Sequence, residues 1–238
     1  MTEHVLVWHP TSGEAPAGSD EQLRLIGMPT GLVRPARQIP AKEELSAAAR
    51  AVMNQVVADL QRRIGQPDAP PTRVSLQDLT EDDKAAVADI LGEGDVWAKV
   101  GLDGAYWRIV ESVMAGVWRV ESSTANGTQG EWIEIGPVPE PILRAAAELP
   151  KATLDVPQQM PQGAMNAPAL LYELQQRSSE YRPGAENHVI NFTLLPLTDV
   201  DADVLTKVLG QVPLVIKSGG FGSSRVFATG LQHVWAVQ

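Results

Sequence analysis

Cysteine is absent from this 238-residue chain. That excludes disulfides, thiolate nucleophiles and iron–sulfur ligation, and with them most zinc sites. Positive charge is scarce as well: 19 lysines and arginines stand against 29 aspartates and glutamates, a formal net charge of −10. A chain of that sign is poorly suited to nonspecific nucleic-acid binding, which needs a Lys/Arg surface. It is compatible with a basic partner, and solubility alone also accounts for it. No apolar run approaches the roughly 18 residues that span a bilayer, so membrane insertion is not expected. The N-terminal MTEHVLVWHP lacks the basic region and long apolar core of a signal peptide, and a cytoplasmic protein is the expectation. His4, His9, His188 and His233 show no metal-ligand spacing with one another or with a helical glutamate, and no G-x-S-x-G elbow occurs. Neither catalytic residues nor a metal nor a cofactor is therefore expected.

What the chain has instead is an internal echo. LGEGDVWAKVGLDGAYWRIVESVMAGVWRVE at residues 91–121 is answered by LGQVPLVIKSGGFGSSRVFATGLQHVWAVQ at residues 209–238. Leu91, Gly92, Lys99, Gly101 and Gly104 match Leu209, Gly210, Lys217, Gly219 and Gly222 at an offset of 118. After the loss of one residue, Arg108, Val117, Trp118 and Val120 match Arg225, Val234, Trp235 and Val237 at an offset of 117. Upstream, RVSLQDLTEDD (73–83) lies over NFTLLPLTDVD (191–201), pairing Thr80 with Thr198 and Asp83 with Asp201. The period is too long for a solenoid and reads as one duplicated α+β unit.

The local signals fit that reading. Residues 4–8 read as a short strand and LRLIGM (23–28) as a second apolar run, followed by a proline-rich stretch. Leu45, Ala48, Val52, Val56, Leu60 and Ile64 form one stripe of a helix over about 42–64, with Met53 and Val57 beside it. Glu43 and Glu44 suit its first turn, Arg62 and Arg63 its last, and Gly65 its C′ position. In the first unit a short strand holds Val74 and Leu76. Thr80 and Asp83 then cap a helix that ends at Gly92. Strands at 95–101 and 106–113 flank the hairpin pair Asp103-Gly104. Further strands at 117–122 and 131–135 are separated by a longer loop with Asn126-Gly127, and a helix at 140–148 is opened by Pro139 and Pro141. A helix at about 168–180 turns Leu170, Leu171 and Leu174 inward. In the second unit a strand alternates over 189–194, Thr198 and Asp201 repeat the cap, Gly210 the stop, and strands at 213–218, 224–230 and 233–237 the meander. The fold class is thus α+β: two pseudo-repeats, each an antiparallel β-meander with a covering helix, preceded by a segment with one long helix. The divisions are 1–66 (N-terminal segment), 67–149 (first unit), 150–186 (linker with a short helix) and 187–238 (second unit).

Trp118 and Trp235 share one position of the unit and read as core. Trp97 and Trp107 have no tryptophan counterpart and are better candidates for a partner surface, where tryptophan is enriched. Residues 218–225, SGGFGSSR, form the other suggestive loop. Its glycines and Arg225 could cradle an anion, which gives the alternative function of a small-ligand or anion-binding protein or enzyme. A tight hairpin turn explains the same glycines. Glu93, Asp95 and Glu111 are not carried into the second unit and read as structural or solvated carboxylates.

Several stretches together resemble one family. LRLIGMP (23–29), LGEGDV (91–96), RIVESVMAGVWRV (108–120), EIGPVPEPI (134–142), NFTLLPLT (191–198) and VWAV (234–237) are similar to the hydrogenase expression/formation proteins HupH, HyaF and HoxQ. The resemblance implies an accessory chaperone in the maturation of uptake [NiFe]-hydrogenases. It implies binding of the iron–sulfur small subunit precursor before export, beside a thioredoxin-like accessory protein. On it, Trp97, Trp107, Phe221 and Arg225 are the expected partner-binding residues. Two departures matter. Ser224 stands where the family loop S-R-G-Y-G-N-C-R often has cysteine, so no thiol can act there. The family also continues past the residues matching 234–237 into a further strand and an acidic tail, so a tail beyond Gln238 is expected.

Overall fold

The computed structural model describes residues 4–7, 45–66, 68–219 and 223–238. The apolar run expected at 23–28 lies outside these residues, as do Glu43 and Glu44. The architecture is α+β, with a large, mainly antiparallel sheet. Among the described residues there are five α-helices and a ten-stranded sheet.

Helix α1, Ala47–Gly65, begins later than its stripe predicts, because the Ser46 hydroxyl accepts from Ala49 N and caps it there. The later start leaves Ala49, Val56 and Asp59 buried, with Val52, Met53 and Leu60 packed beside them. Ala48, Val57 and Ile64, expected inside, face solvent. Gly65 is the last helical residue and Gln66 the cap, in place of the C′ glycine expected. Strand β1 is His4–Val7 and strand β2 is Thr72–Ser75. Helix α2, Glu81–Leu91, is capped by the Thr80 hydroxyl accepting from Asp83 N and ends at Gly92 with φ 69°.

Strands β3 (Val96–Leu102) and β4 (Ala105–Glu111) join through Asp103 and Gly104 at φ 52° and 76°. Two positive φ angles make the turn that matches the twist of a two-residue hairpin. Strands β5 (Val117–Thr124) and β6 (Gly127–Ile135) are longer than expected and meet at a tight turn, with Thr124 paired to Gly127. The longer loop expected around Asn126-Gly127 is therefore a two-residue turn. Helix α3, Glu140–Glu148, opens at Pro139 and Pro141 as read from the sequence. Helix α4, Ala167–Glu180, buries Leu170, Leu171 and Leu174.

Of the strand expected over 189–194 only β7, Ile190–Asn191, forms. The Asn191 side chain accepts from Thr193 N at 3.0 Å and turns residues 192–194 into a 3-10 helix. Helix α5, Asp199–Leu209, carries a full capping box of Thr198 and Asp201 and stops at Gly210 with φ 60°. Strands β8 (Leu214–Ser218), β9 (Ser224–Ala228) and β10 (Val234–Val237) complete the sheet.

The strand order is β2-β6-β5-β4-β3-β8-β9-β10-β1-β7. Every neighbouring pair is antiparallel except those of β1, which runs parallel to both β10 and β7. At the centre β3 pairs with β8, Val96 opposite Ser218 through Val100 opposite Leu214. One hydrogen bond brackets each end of this joint, Gly101 N to Pro213 O at 2.7 Å and Gly219 N to Asp95 O at 2.8 Å.

Side chains alternate across the sheet. One face packs Ala98, Val100, Ile109, Trp118, Val120, Leu214 and Trp235 against α3. The other carries two separate helix layers. Helices α1 and α2 cover Val74, Val117, Ile133 and Ile135; α4 and α5 cover Phe227, Val234 and Ala236. Trp118 and Trp235 are buried at 7% and 5% exposure, as their shared position predicts.

Asp201 holds the second layer together. Its Oδ1 accepts from the backbone N–H groups of Met165, Asn166 and Ala167 at 2.8–2.9 Å, so one carboxylate oxygen caps the start of α4. Its Oδ2 accepts from Thr198 N at 3.1 Å. Burial alone would raise this carboxyl's pKa. The N–H groups of Ala167, Thr198 and Asn166 outweigh that and hold it at about 2, against an ordinary 3.8. A depressed carboxylate stabilises the fold above its unfolded value and loses that contribution as pH falls through its folded one. Asp201→Ala is expected to cost about 3 kcal/mol in a urea unfolding curve at pH 7. The deficit against wild type should narrow by about 2 kcal/mol as the pH is lowered from 5 towards 2.

Candidate functional site

Between the two helix layers the sheet is left uncovered over β4, β3, β8 and β9. Alternation turns Trp97, Lys99 and Gly101 of β3, Tyr106 and Arg108 of β4, Val215 and Lys217 of β8, and Arg225 of β9 onto this floor. An open groove of roughly 370 Å³ lies along it, lined by Lys99, Gly101, Tyr106, Arg108, Pro213 and Val215. Gly101 packs closely here: a Cβ would sit 3.2 Å from Pro213 Cβ, which would have to give by a few tenths of an ångström, and in ordinary contact with the Tyr106 ring at 3.4 Å.

The charge pattern of the floor is unusual for this acidic chain. Lys99 stands directly opposite Arg108, and Lys217 directly opposite Arg225. Trp97 lies between the two lysines, with its ring centroid 4.9 Å from Lys217 Nζ and 5.9 Å from Lys99 Nζ. Arg225 stacks on the Phe227 ring at 5.4 Å, and its buried Nε has no hydrogen-bond partner among the described residues. Arg108 approaches Glu121 at 4.0 Å.

Two clefts of about 160 Å³ flank the floor. One lies under α2 and is lined by Lys84, Arg108, Arg119, Glu121, Glu131 and Trp132. Its lysine is paired: Lys84 meets Glu131 at 2.7 Å and Glu81 at 2.8 Å, which raises the lysine's pKa. The other lies under α5 and is mostly apolar, with Leu205, Phe227 and Ala236 beside Arg225. Arg108 and Arg225 thus hold matching places at the two clefts. Among the described residues, no group of three or more His, Asp or Glu is placed to hold a metal ion.

The structure brings two of the four sequence-predicted partner residues onto this floor, Trp97 and Arg225. Trp107 also borders the groove, but its strand alternation turns the side chain the opposite way, paired with Val100 and packed against the cluster that α3 covers. Phe221 lies outside the described residues, as do Gly220 and Gly222 of the candidate anion cradle. Lys99, Arg108 and Lys217 were passed over in the sequence. Their signal was present, since Lys99 matches Lys217 and Arg108 matches Arg225. Shared positions were read there as scaffold.

The opposed placement of the two tryptophans has a measurable consequence. Trp107→Ala removes packing from the α3-covered core and should lower stability by about 2–3 kcal/mol. Trp97→Ala removes a ring from an open floor and should cost about 1 kcal/mol or less. Denaturant midpoints of the two variants check the order.

The comparisons with known proteins come together on one family. The family described as "HupH hydrogenase expression protein, C-terminal conserved region" matches residues 46–160 and 164–238. The hydrogenase expression/formation protein HoxQ of Cupriavidus necator is 35% identical over 231 residues, covering 94% of this chain and 79% of HoxQ. HupH of Rhodobacter capsulatus is 34% identical over 231 residues, covering 95% and 79% of the two chains. The hydrogenase-1 operon protein HyaF of Escherichia coli K12 is 32% identical over 190 residues, covering 76% of this chain and 65% of HyaF. With the family match spanning most of the chain and these relatives on either side of it, this chain belongs to the HupH family of hydrogenase expression/formation proteins.

Proposed function

We propose that this chain is a non-catalytic accessory protein that holds the small subunit precursor of an uptake [NiFe]-hydrogenase in the cytoplasm, before export. The observation that carries the reading is family membership joined to an uncovered, cationic and aromatic floor on an otherwise acidic molecule. Relatives along the chain are named for hydrogenase expression and formation, which places the role in maturation. No helix among the described residues is long and apolar enough to cross a membrane. A thioredoxin-like accessory protein is the second proposed partner.

The proposed mechanism is surface recognition. Trp97 and Arg225 act on the floor, with Phe221 as a further proposed contact; Trp107 acts through the core behind it. The floor would be built by two copies of one unit meeting at β3 and β8. Matching backbone bonds support duplication: Val113 N to Leu91 O and Gly230 N to Leu209 O, Gly94 N to Glu111 O and Val212 N to Ala228 O. Gly116 at φ 76° and His233 at φ 61° hold the same turn in the two halves.

Affinity purification of the tagged chain from cells expressing the hydrogenase at native level tests the reading. The small subunit precursor should co-purify, and Trp97→Ala/Arg225→Ala should reduce its recovery severalfold at unchanged chain level. Absence of the precursor from the wild-type eluate would overturn it.

A further inference from the structure

We infer that the floor formed by β4, β3, β8 and β9 is a docking site for an acidic polypeptide segment, read by Lys99, Arg108, Lys217 and Arg225 around Trp97. The inference rests on the proposed function only in taking this face as the one turned to a partner.

The first observation is a local rule broken twice. Like charges directly opposite on neighbouring strands destabilise a sheet. Here Lys99 faces Arg108 and Lys217 faces Arg225, in a chain whose net charge is −10 and which has carboxylates to spare. Folding alone gives no reason to gather four cations on four adjacent strands. Such unrelieved conflicts are where binding function is expected.

The second observation is what fails to neutralise them. Among the described ion pairs, only Arg108 of the four meets a carboxylate, Glu121 at 4.0 Å. Two nearby carboxylates are engaged to the side: Glu131 with Lys84 at 2.7 Å, and Glu93 with Arg119 at 3.0 Å. Both lysines lean on the Trp97 ring, which attracts them electrostatically without cancelling their charge. The buried Arg225 Nε is a hydrogen-bond donor that the described residues leave unused.

The third observation is shape. Strands lie about 4.8 Å apart, so the four cations span about 14 Å across the sheet. The helix layers of α1–α2 and α4–α5 stand on either side of them. A single acidic chain fits that floor and presents alternate carboxylates about 7 Å apart when extended. A membrane surface or a nucleic-acid duplex would meet the acidic remainder of the molecule, which lies within reach of a Debye length of about 8 Å.

Fluorescence anisotropy with the whole chain tests this. The probe is a fluorescein-labelled twelve-residue peptide in which glutamates alternate with small neutral residues. The controls are its glutamine counterpart, inorganic phosphate as competitor, and a single-stranded DNA oligomer. The glutamate peptide should bind and the glutamine peptide should not, with binding weakening at least tenfold from 50 to 300 mM salt. Lys99→Gln/Lys217→Gln should weaken binding tenfold or more while its Tm stays level or rises, since a like-charge conflict is removed. A fall in Tm would make the lysines structural and overturn the inference. So would failure of the glutamate peptide to bind, equal binding by the double variant, or DNA or phosphate binding in preference to the peptide. The probe contains no hydrogenase sequence. Loss of precursor co-purification with peptide binding intact would therefore sink the proposed function and leave this inference standing.

Discussion

The pairing of β3 with β8 is the contact on which the rest of the molecule depends. Five residue pairs cross it, and a backbone hydrogen bond closes each end. On one face it is sealed by Ala98, Val100 and Leu214 beneath α3. Among the described residues the two helix layers on the other face share no apolar cluster, and this seam joins the strands beneath them. A ladder of backbone bonds is indifferent to side-chain charge. For that reason it can hold four cations together where side-chain preferences alone would separate them.

The magnitudes make that arrangement sustainable. A like-charge cross-strand pair costs roughly 0.2–1 kcal/mol. The seam is backed by Val100 and Leu214, both buried, each contributing about 1.5–3 kcal/mol, with Ala98 beside them. Packing on the α3 side therefore outweighs repulsion on the open side several times over. Trp97 adds a weaker attraction to both lysines without removing their charge. The result is a rigid floor whose electrostatic conflict is held in place.

Much of the architecture was legible in the sequence because short-range physics wrote it. Thr80, Thr198, Gly92 and Gly210 set the ends of α2 and α5, and Asp103-Gly104 set its hairpin. The misreadings have local causes too. Glu43 and Glu44 drew the expected start of α1 forward, while the Ser46 hydroxyl sets it. Polar strand ends around Ser122, Ser123, Thr128 and Gln129 hid the length of the β5–β6 hairpin. At 190–194 the alternation of a strand was overruled by one side chain, that of Asn191. The β3–β8 seam left no local trace, since it joins residues more than a hundred positions apart. The floor was half legible: Trp97 and Arg225 stood out as candidates, while Lys99, Arg108 and Lys217 were masked by being shared.

One topological detail bears on how the sheet comes to exist. Strand β1 lies between β10 and β7, and among the described residues β7 has no other neighbour in the sheet. The first described strand of the chain thus waits for the last, while hairpins such as β3–β4 close on themselves at once. Pairings of such separation carry the largest loop-closure cost and form slowly. During synthesis residues 4–7 emerge long before their neighbour at 234–237. Until the two meet, β10 offers an open strand edge to whatever else is near.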